Sequence, residues 1–360
     1  MSLRASFLKK TLNFSFKART SRGAMNHKDS WFIKVWDDRE PGIFGIGEAG
    51  PLPGLSPETG EDVEEQFNKI IKLVSKIPDA KEIGSLAQIH QLLKAEHVSG
   101  SVLFALETAF LDLRNGGVRT IFQNEFVKGQ AIPINGLVWM GGLDEMLQQV
   151  SIKISEGFSC VKLKIGSLNF EKEVDILQFI RRKYFRDVIE IRLDANGSFR
   201  PEQALYKIMD CARYDISSIE QPLKAGSAYL PELCSHSPIP IGLDEELIGV
   251  TAAPAKVELL ERIKPAFIIL KPSLHGGLFG CEEWIRLAEE RGIGWWMTSA
   301  LESNIGLNAI AQFTANYPIY LPQGLGTGAI YDNNIPSPLV VKKGTLSLNS
   351  QENWDLSEFN

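Results

Sequence analysis

The sequence predicts an α/β protein whose main body is a closed parallel barrel, and three observations lead there. From residue 131 onwards short apolar runs recur, at 131–135, 160–165, 190–194, 217–221, 238–244, 266–271, 294–299 and 319–323. A helix-sized segment separates each run from the next, with amphipathic patterns clearest at 170–184, 201–213, 255–262 and 281–291. Charged or strongly polar residues close most of the runs, and the carboxyl ends of the strands are where barrel proteins gather their chemistry. Eight runs at near-constant spacing favour closure over the competing architecture, a doubly wound open sheet.

The elements before and after the barrel read differently. β-rich runs at 12–16, 31–36 and 43–47 are separated by turn chemistry such as Ser21-Arg22-Gly23 and Arg39-Glu40-Pro41-Gly42, which predicts an antiparallel meander. Helical periodicity follows at 61–75 and 101–113, the second apolar around most of its circumference and so expected to be buried. The tail after Gly324 is turn-rich, then β-like at 339–342 and 345–348, and is expected to return and pack on the meander.

Composition narrows the function classes. With 44% hydrophobic and 23% charged residues the chain is of ordinary globular make-up, which excludes a disordered or fibrous protein. Its 38 Lys and Arg against 44 Asp and Glu give a net charge of −6, the wrong sign for non-specific nucleic-acid binding. No window approaches the roughly 20 apolar residues of a membrane span. The basic N-terminus lacks the apolar stretch of a signal peptide, so no membrane or secretory role is expected. Four scattered cysteines without a C-x-x-C pair read as reduced thiols of a cytoplasmic protein. The five histidines show no zinc-ligand spacing.

A strand buried on both faces should be continuously apolar, so the charges within these runs call for a reason. Lys162 and Lys164 lie two apart and share a face; with Leu163 and Ile165 turned outward, both lysines point into the barrel. Asp194, Glu220 and Asp244 end three consecutive strands, and Lys271 ends the sixth. Three converging carboxylates repel unless a cation answers them, and all-oxygen ligation points to Mg2+, with Mn2+ as the alternative. Three lysines and a dication outweigh three carboxylates, so the site suits a small anionic, carboxylated substrate. A metal on that carboxylate beside a lysine is equipped to remove the proton α to it. Asn196 and Glu245 follow closely on Asp194 and Asp244 in the sequence, and Glu245 could be a rim charge. Taken singly, each lysine could be a rim charge, each acid a helix N-cap and Asn196 the start of a turn. Their order on successive strands is what argues for a joint role. Two further features carry no chemistry. Gly324-Leu-Gly-Thr-Gly328 lacks the following helix that a dinucleotide motif requires, and His275-Gly-Gly277 reads as a turn after the sixth strand.

This ordered set resembles the enolase superfamily, in its muconate-lactonising-enzyme subgroup, over essentially the whole chain. The resemblance implies a modified TIM barrel, (β/α)7β, with an α+β capping domain. The expected boundaries are 1–122 for the cap, 123–324 for the barrel and 325–360 returning to the cap. It implies Lys164 as the base, Lys162 as its support and Lys271 as the stabiliser of an enediolate from the opposite face. Asp194, Glu220 and Asp244 would hold Mg2+, with Asn196 and Glu245 behind them. Softer signatures, Asn135-Gly-Leu-Val-Trp139, Ser299-Ala-Leu-Glu-Ser-Asn-Ile-Gly306 and Gly324-Leu-Gly-Thr-Gly328, resemble the branch that dehydrates 2-succinyl-6-hydroxy-2,4-cyclohexadiene-1-carboxylate to o-succinylbenzoate in menaquinone biosynthesis. Arg22, in the turn between two cap strands, Ser299 and the helix start at Asn304 are the candidates for the substrate's second carboxylate. The nearest alternative is an N-acylamino-acid racemase or dipeptide epimerase using Lys164 and Lys271 as opposed bases. The last-strand region lacks the D-x-D pair that resembling dipeptide epimerases carry, and muconate cycloisomerisation is less favoured. A Schiff-base lysine aldolase would leave the three carboxylates without a role, and a non-enzymatic barrel protein would be expected to have lost one of the groups.

Overall fold

The computed structural model describes residues 3–20, 23–77, 83–166 and 169–359. Strands β1 (Leu3–Thr20) and β2 (Gly23–Asp37) form a long antiparallel hairpin, and β3 (Phe44–Ala49) pairs antiparallel with β2. The hairpin is far longer than the apolar runs foretold. Its pairing runs from Leu3 opposite Asp37 to Thr20 opposite Gly23, with the register broken between Asn13 and Ala18. Helix α1 (Gly60–Val74) starts at a capping box in which Thr59 accepts from the Asp62 amide and Asp62 accepts from the Thr59 amide. Helix α2 (Leu86–Leu93), capped by Ser85, is followed by α3 (Gly100–Arg114), buried from Ser101 to Leu113 as its apolar circumference requires.

β3 is buried throughout because α3 lies directly on it. A Cβ on Gly45 would sit 1.8 Å from the Ala109 carbonyl oxygen, and one on Gly47 the same distance from that of Ala105. Two hydrogens in place of side chains therefore set the cap's strand–helix spacing.

The barrel is built from β5 (Gly136–Val138), β6 (Cys160–Lys164), β7 (Glu190–Asp194), β8 (Ile216–Glu220), β9 (Ile241–Leu243), β10 (Phe267–Leu270) and β11 (Gly294–Met297). They are parallel and adjacent in sequence order. The connecting helices are α4 (Leu143–Ser155), α5 (Phe170–Lys183), α6 (Pro201–Ala212), α7 (Leu230–His236), α8 (Ala253–Ile263) and α9 (Gly277–Glu289), and α10 (Asn304–Thr314) follows β11. Two of the eight expected strands differ. In the run 131–135 only β4 (Ile132–Pro133) is a strand, and it pairs outside the barrel. The run 319–323 forms no strand, yet it closes the ring: Gln323 bridges Ile134 on one side and Gly324 bridges Thr298 on the other. Pro318 and Pro322 cannot donate ladder hydrogen bonds, which limits this segment to isolated bridges.

The tail divides its contacts. The hairpin of β12 (Leu339–Lys342) and β13 (Thr345–Leu348) joins β4 rather than the meander, which corrects the expectation for these strands. The segments on either side of it do reach the meander. Tyr331 bridges Phe14, Phe359 packs on Phe32, and Lys34 donates to the Phe359 carbonyl.

Candidate active site at the carboxyl end of the barrel

The register places the candidate groups in one row. Lys164 on β6 is opposite Asp194 on β7, and Asp194 is opposite Glu220 on β8. Asp244 and Lys271 follow the last residues of β9 and β10. All three carboxylates are buried, and the side chains of Lys162, Lys164 and Lys271 are 9%, 12% and 11% exposed. The amines therefore face inward, beside the carboxylates.

The charges are interleaved. Lys162 Nζ lies 3.0 Å from Glu220 Oε2 and 3.4 Å from Asp194 Oδ2. Lys164 Nζ donates to Asp194 Oδ2 at 2.8 Å and to Asn196 Oδ1 at 2.9 Å. Asn196 in turn donates from Nδ2 to Glu245 Oε1 at 2.9 Å, so these two residues do stand behind the row. On the far side Lys271 Nζ lies 2.6 and 2.5 Å from the two oxygens of Asp244.

Electrostatics follow from this geometry. Burial alone would raise the Asp194 carboxyl, but Lys164 and Lys162 hold it well below the usual range. Glu220 is pushed up to about 7, by burial first and then by the carboxylates of Asp194 and Asp244, which outweigh the help from Lys162. Burial opposes the Lys162 ammonium, yet Glu220, Asp194 and Asp244 raise its pKa; Lys271 is raised likewise, chiefly by Asp244.

One expectation needs correction. Among the described residues no three carboxylate, imidazole or thiol groups are gathered closely enough to ligate an ion as the side chains stand. The physical reason is that each strand-end carboxylate is drawn to a lysine ammonium instead. The donor set still fits a hard dication. Its ligand atoms are all carboxylate oxygens, Glu220 Oε1 is buried with no hydrogen-bond partner, and Asp194 and Asp244 add to the proton affinity of Glu220 where a cation would relieve it.

Above the row is a cavity of about 290 Å3, walled by the barrel on one side and by the cap on the other. Lys162, Lys164, Asp194, Asn196 and Lys271 line its floor. Ser299 lines it too, its Oγ 2.6 Å from Thr327 Oγ1, whereas Arg22 lies outside the described residues. Asn304 is not part of the wall. As the first residue of α10 it is taken up by the tail, its amide accepted by Asn334 and its Nδ2 by the Ile335 carbonyl. Several contributors carried no sequence signal of their own: Met25, His27, Leu52, Pro53 and Leu55 reach the cavity from the cap. Gln221, buried at φ +37°, was also missed; its Oε1 accepts from the amides of Asp244 and Glu246 and so sets the loop that carries Asp244. The dipeptide Glu220-Gln221 before Pro222 was the only available hint.

Comparison with known proteins agrees with this geometry. The family model described as "Enolase C-terminal domain-like" matches residues 145–352. The chain belongs to the enolase superfamily. It is similar to the o-succinylbenzoate synthase of Desulfotalea psychrophila, 42% identical over 95% of this chain and 98% of that one. The crystal structure of MenC from Desulfotalea psychrophila superposes with a TM-score of 0.86 at 38% identity, covering 97% and 100% of the two chains. A dipeptide epimerase from Enterococcus faecalis, solved with Mg and the dipeptide L-Leu-L-Tyr, shares the fold at a TM-score of 0.83 and 20% identity, covering 98% of each chain.

Proposed function

We propose that this enzyme catalyses the Mg2+-dependent syn dehydration of 2-succinyl-6-hydroxy-2,4-cyclohexadiene-1-carboxylate to o-succinylbenzoate. The observation that carries the reading is the interleaving of three buried lysines with three strand-end carboxylates under one cavity. Kinship with the Desulfotalea enzyme supports the choice of substrate within that chemistry.

In this reading Asp194, Glu220 and Asp244 hold Mg2+, which supplies Lewis-acid stabilisation of negative charge on the substrate carboxylate. Lys164 takes the α-proton. The C–H electron pair passes into the carboxylate as an enediolate, and Lys271 answers that charge from the opposite wall. The enediolate then expels the hydroxyl, and Lys164 returns its proton to the departing oxygen, so water leaves from the face on which the base sits. Asn196 orients Lys164 through its 2.9 Å contact and is itself held by Glu245. Lys162 favours the ionised forms of Asp194 and Glu220, and the hydroxyl of Ser299 serves the distal carboxylate. We place the enzyme in the cytoplasm, in keeping with four free cysteines, three of them buried.

The test is an ultraviolet assay for o-succinylbenzoate with and without EDTA, beside a racemisation assay on N-succinyl amino acids. EDTA-sensitive formation of the aromatic product is expected. Racemisation without dehydration would transfer the site to the second reading, which the opposed lysines favour: two-base epimerisation by Lys164 and Lys271.

A further inference from the structure

We propose that the amino-terminal end of the barrel interior holds a second ligand site, separate from the catalytic cavity, that binds a small oxyanion through Arg192, Ser218 and Trp296. These three side chains are 1%, 2% and 1% exposed, and each has a polar atom without a hydrogen-bond partner: Arg192 Nη2, Ser218 Oγ and Trp296 Nε1. All three residues line one cavity of about 280 Å3.

The arrangement is fixed from several directions. Arg192 and Ser218 are opposite each other in the β7–β8 register. Arg192 donates from Nε to Glu190 at 2.8 Å and from Nη1 to the Pro322 carbonyl at 2.8 Å, which leaves Nη2 over. The guanidinium lies over the Trp296 ring, 4.4 Å from its centroid, and Phe267 packs on the ring at 5.2 Å. Glu190 pairs with the guanidinium through Nε and also accepts from Ser217, and Asp215 sits exposed at the mouth with Arg186, so neither acid accepts from the three unpartnered atoms.

A buried N–H without an acceptor is costly, and two of them beside a hydroxyl in one cavity define what is missing. The ligand must accept two or three hydrogen bonds at once beside a guanidinium that Glu190 holds only through Nε, which a phosphate or carboxylate group does. One water could accept from two of the donors and donate to the serine, but it leaves most of the cavity unfilled. Arg192 lies two residues before Asp194 and Ser218 two before Glu220 in the catalytic row, and Trp296 two before Thr298, which lines the upper cavity. The site is therefore about 6.6 Å along the strands from the upper cavity.

The test is calorimetric titration of the full chain with sodium phosphate, and separately with sodium acetate, at constant ionic strength. Saturable binding of either anion is expected, and the stronger of the two identifies the ligand as a phosphate or a carboxylate. Ser218→Ala and Trp296→Phe each remove one donor and should weaken that binding about tenfold. Lys164→Ala, which alters only the upper cavity, should leave it unchanged. Arg192→Met should abolish it; should that variant fail to fold, the two milder substitutions still decide. Heat no larger than dilution for both anions, or affinity lost in Lys164→Ala and kept in Ser218→Ala and Trp296→Phe, overturns the proposal in favour of water alone or of the catalytic cavity.

Discussion

Replacing Lys164 with alanine separates the catalytic role of the amine from its structural one, because the structure sets limits on both. Its Nζ makes two contacts, 2.8 Å to Asp194 and 2.9 Å to Asn196. Asp194 keeps Lys162 at 3.4 Å after the substitution, so no buried carboxylate is stranded. The stability loss should then be that of one hydrogen bond to a charged group, about 1.5–3 kcal/mol, and not the larger penalty of an orphaned charge. A positioned general base contributes a factor of about 10²–10⁴, and here the same amine also protonates the leaving oxygen. The expected fall in kcat is therefore at the upper end, about 10⁴, equivalent to roughly 5 kcal/mol of barrier. The assay pairs initial rates of o-succinylbenzoate formation with urea unfolding and a calorimetric Mg2+ titration on the same preparation. A folded, metal-binding variant that retained more than about a tenth of the rate would refute the assignment, since no general base is worth so little.

Other expectations follow from the same coordinates. Glu220→Gln removes a charge from the proposed metal set and should weaken Mg2+ binding at least about tenfold by titration calorimetry; an unchanged isotherm takes Glu220 out of the set. Glu107 is buried at the start of α9, accepting from the amides of Leu278 and Phe279, and burial pushes its carboxyl up to about 8 despite those donors. Its folded-state pKa exceeds the unfolded value, so between about pH 4.5 and 8 the folded chain binds more protons; stability from this group is full below that window and is lost as pH rises through it, by a few kcal/mol. Urea midpoints across the window should fall for the wild type and flatten for Glu107→Gln, and parallel slopes for the two proteins would contradict this. Gly47→Ala drives a Cβ into the Ala105 carbonyl and should cost about 3 kcal/mol or more, read as a lowered midpoint or loss of soluble protein, while Gly54→Ala, clear of neighbours but at φ +73°, costs only the left-handed backbone strain, about 1 kcal/mol.

The sequence disclosed the site more fully than it disclosed the walls around it. Lys162, Lys164, Asp194, Glu220, Asp244 and Lys271 stood out because charge inside a buried strand has no structural reason to exist, and they are found interleaved as that anomaly implied. The first and last barrel runs were misread for opposite reasons. Asn135-Gly136 moves the first strand on to Gly136–Val138, and prolines thin the closing segment to bridges at Gln323 and Gly324. The β1–β2 hairpin was underestimated because much of it is polar and solvated, so its length is set by pairing rather than by apolar pattern. Cap residues such as His27 and Leu55 reach the cavity only through tertiary folding, and spacing along the chain cannot announce that. Asn304 failed as a substrate contact because a helix start attracts any acceptor nearby, and the tail supplies one in Asn334.

The strand ends also show how the acids are kept apart from their usual fate as helix caps. Asn196, Gln221 and Leu301 adopt φ values of +44°, +37° and +61°, a region non-glycine residues enter at some cost, and all three follow strands that end in this site. The turn at Asn196 lets its amide accept Lys164 on one side and donate to Glu245 on the other. At Gln221 the side chain takes the amides of Asp244 and Glu246, donors that a capping carboxylate would otherwise claim. Neither Asp194 nor Glu220 caps a following helix: α6 starts at Pro201 and α7 at Leu230, several residues further on. Asp194 keeps one local bond, from the Asn196 amide at 3.2 Å, and each of the three carboxylates is otherwise paired with a lysine that can give it up to a stronger cation. Asn196, Gln221 and Leu301 thus bring backbone strain to the strand ends of the site, where it is tolerated because the turns it shapes position Lys164 and Asp244.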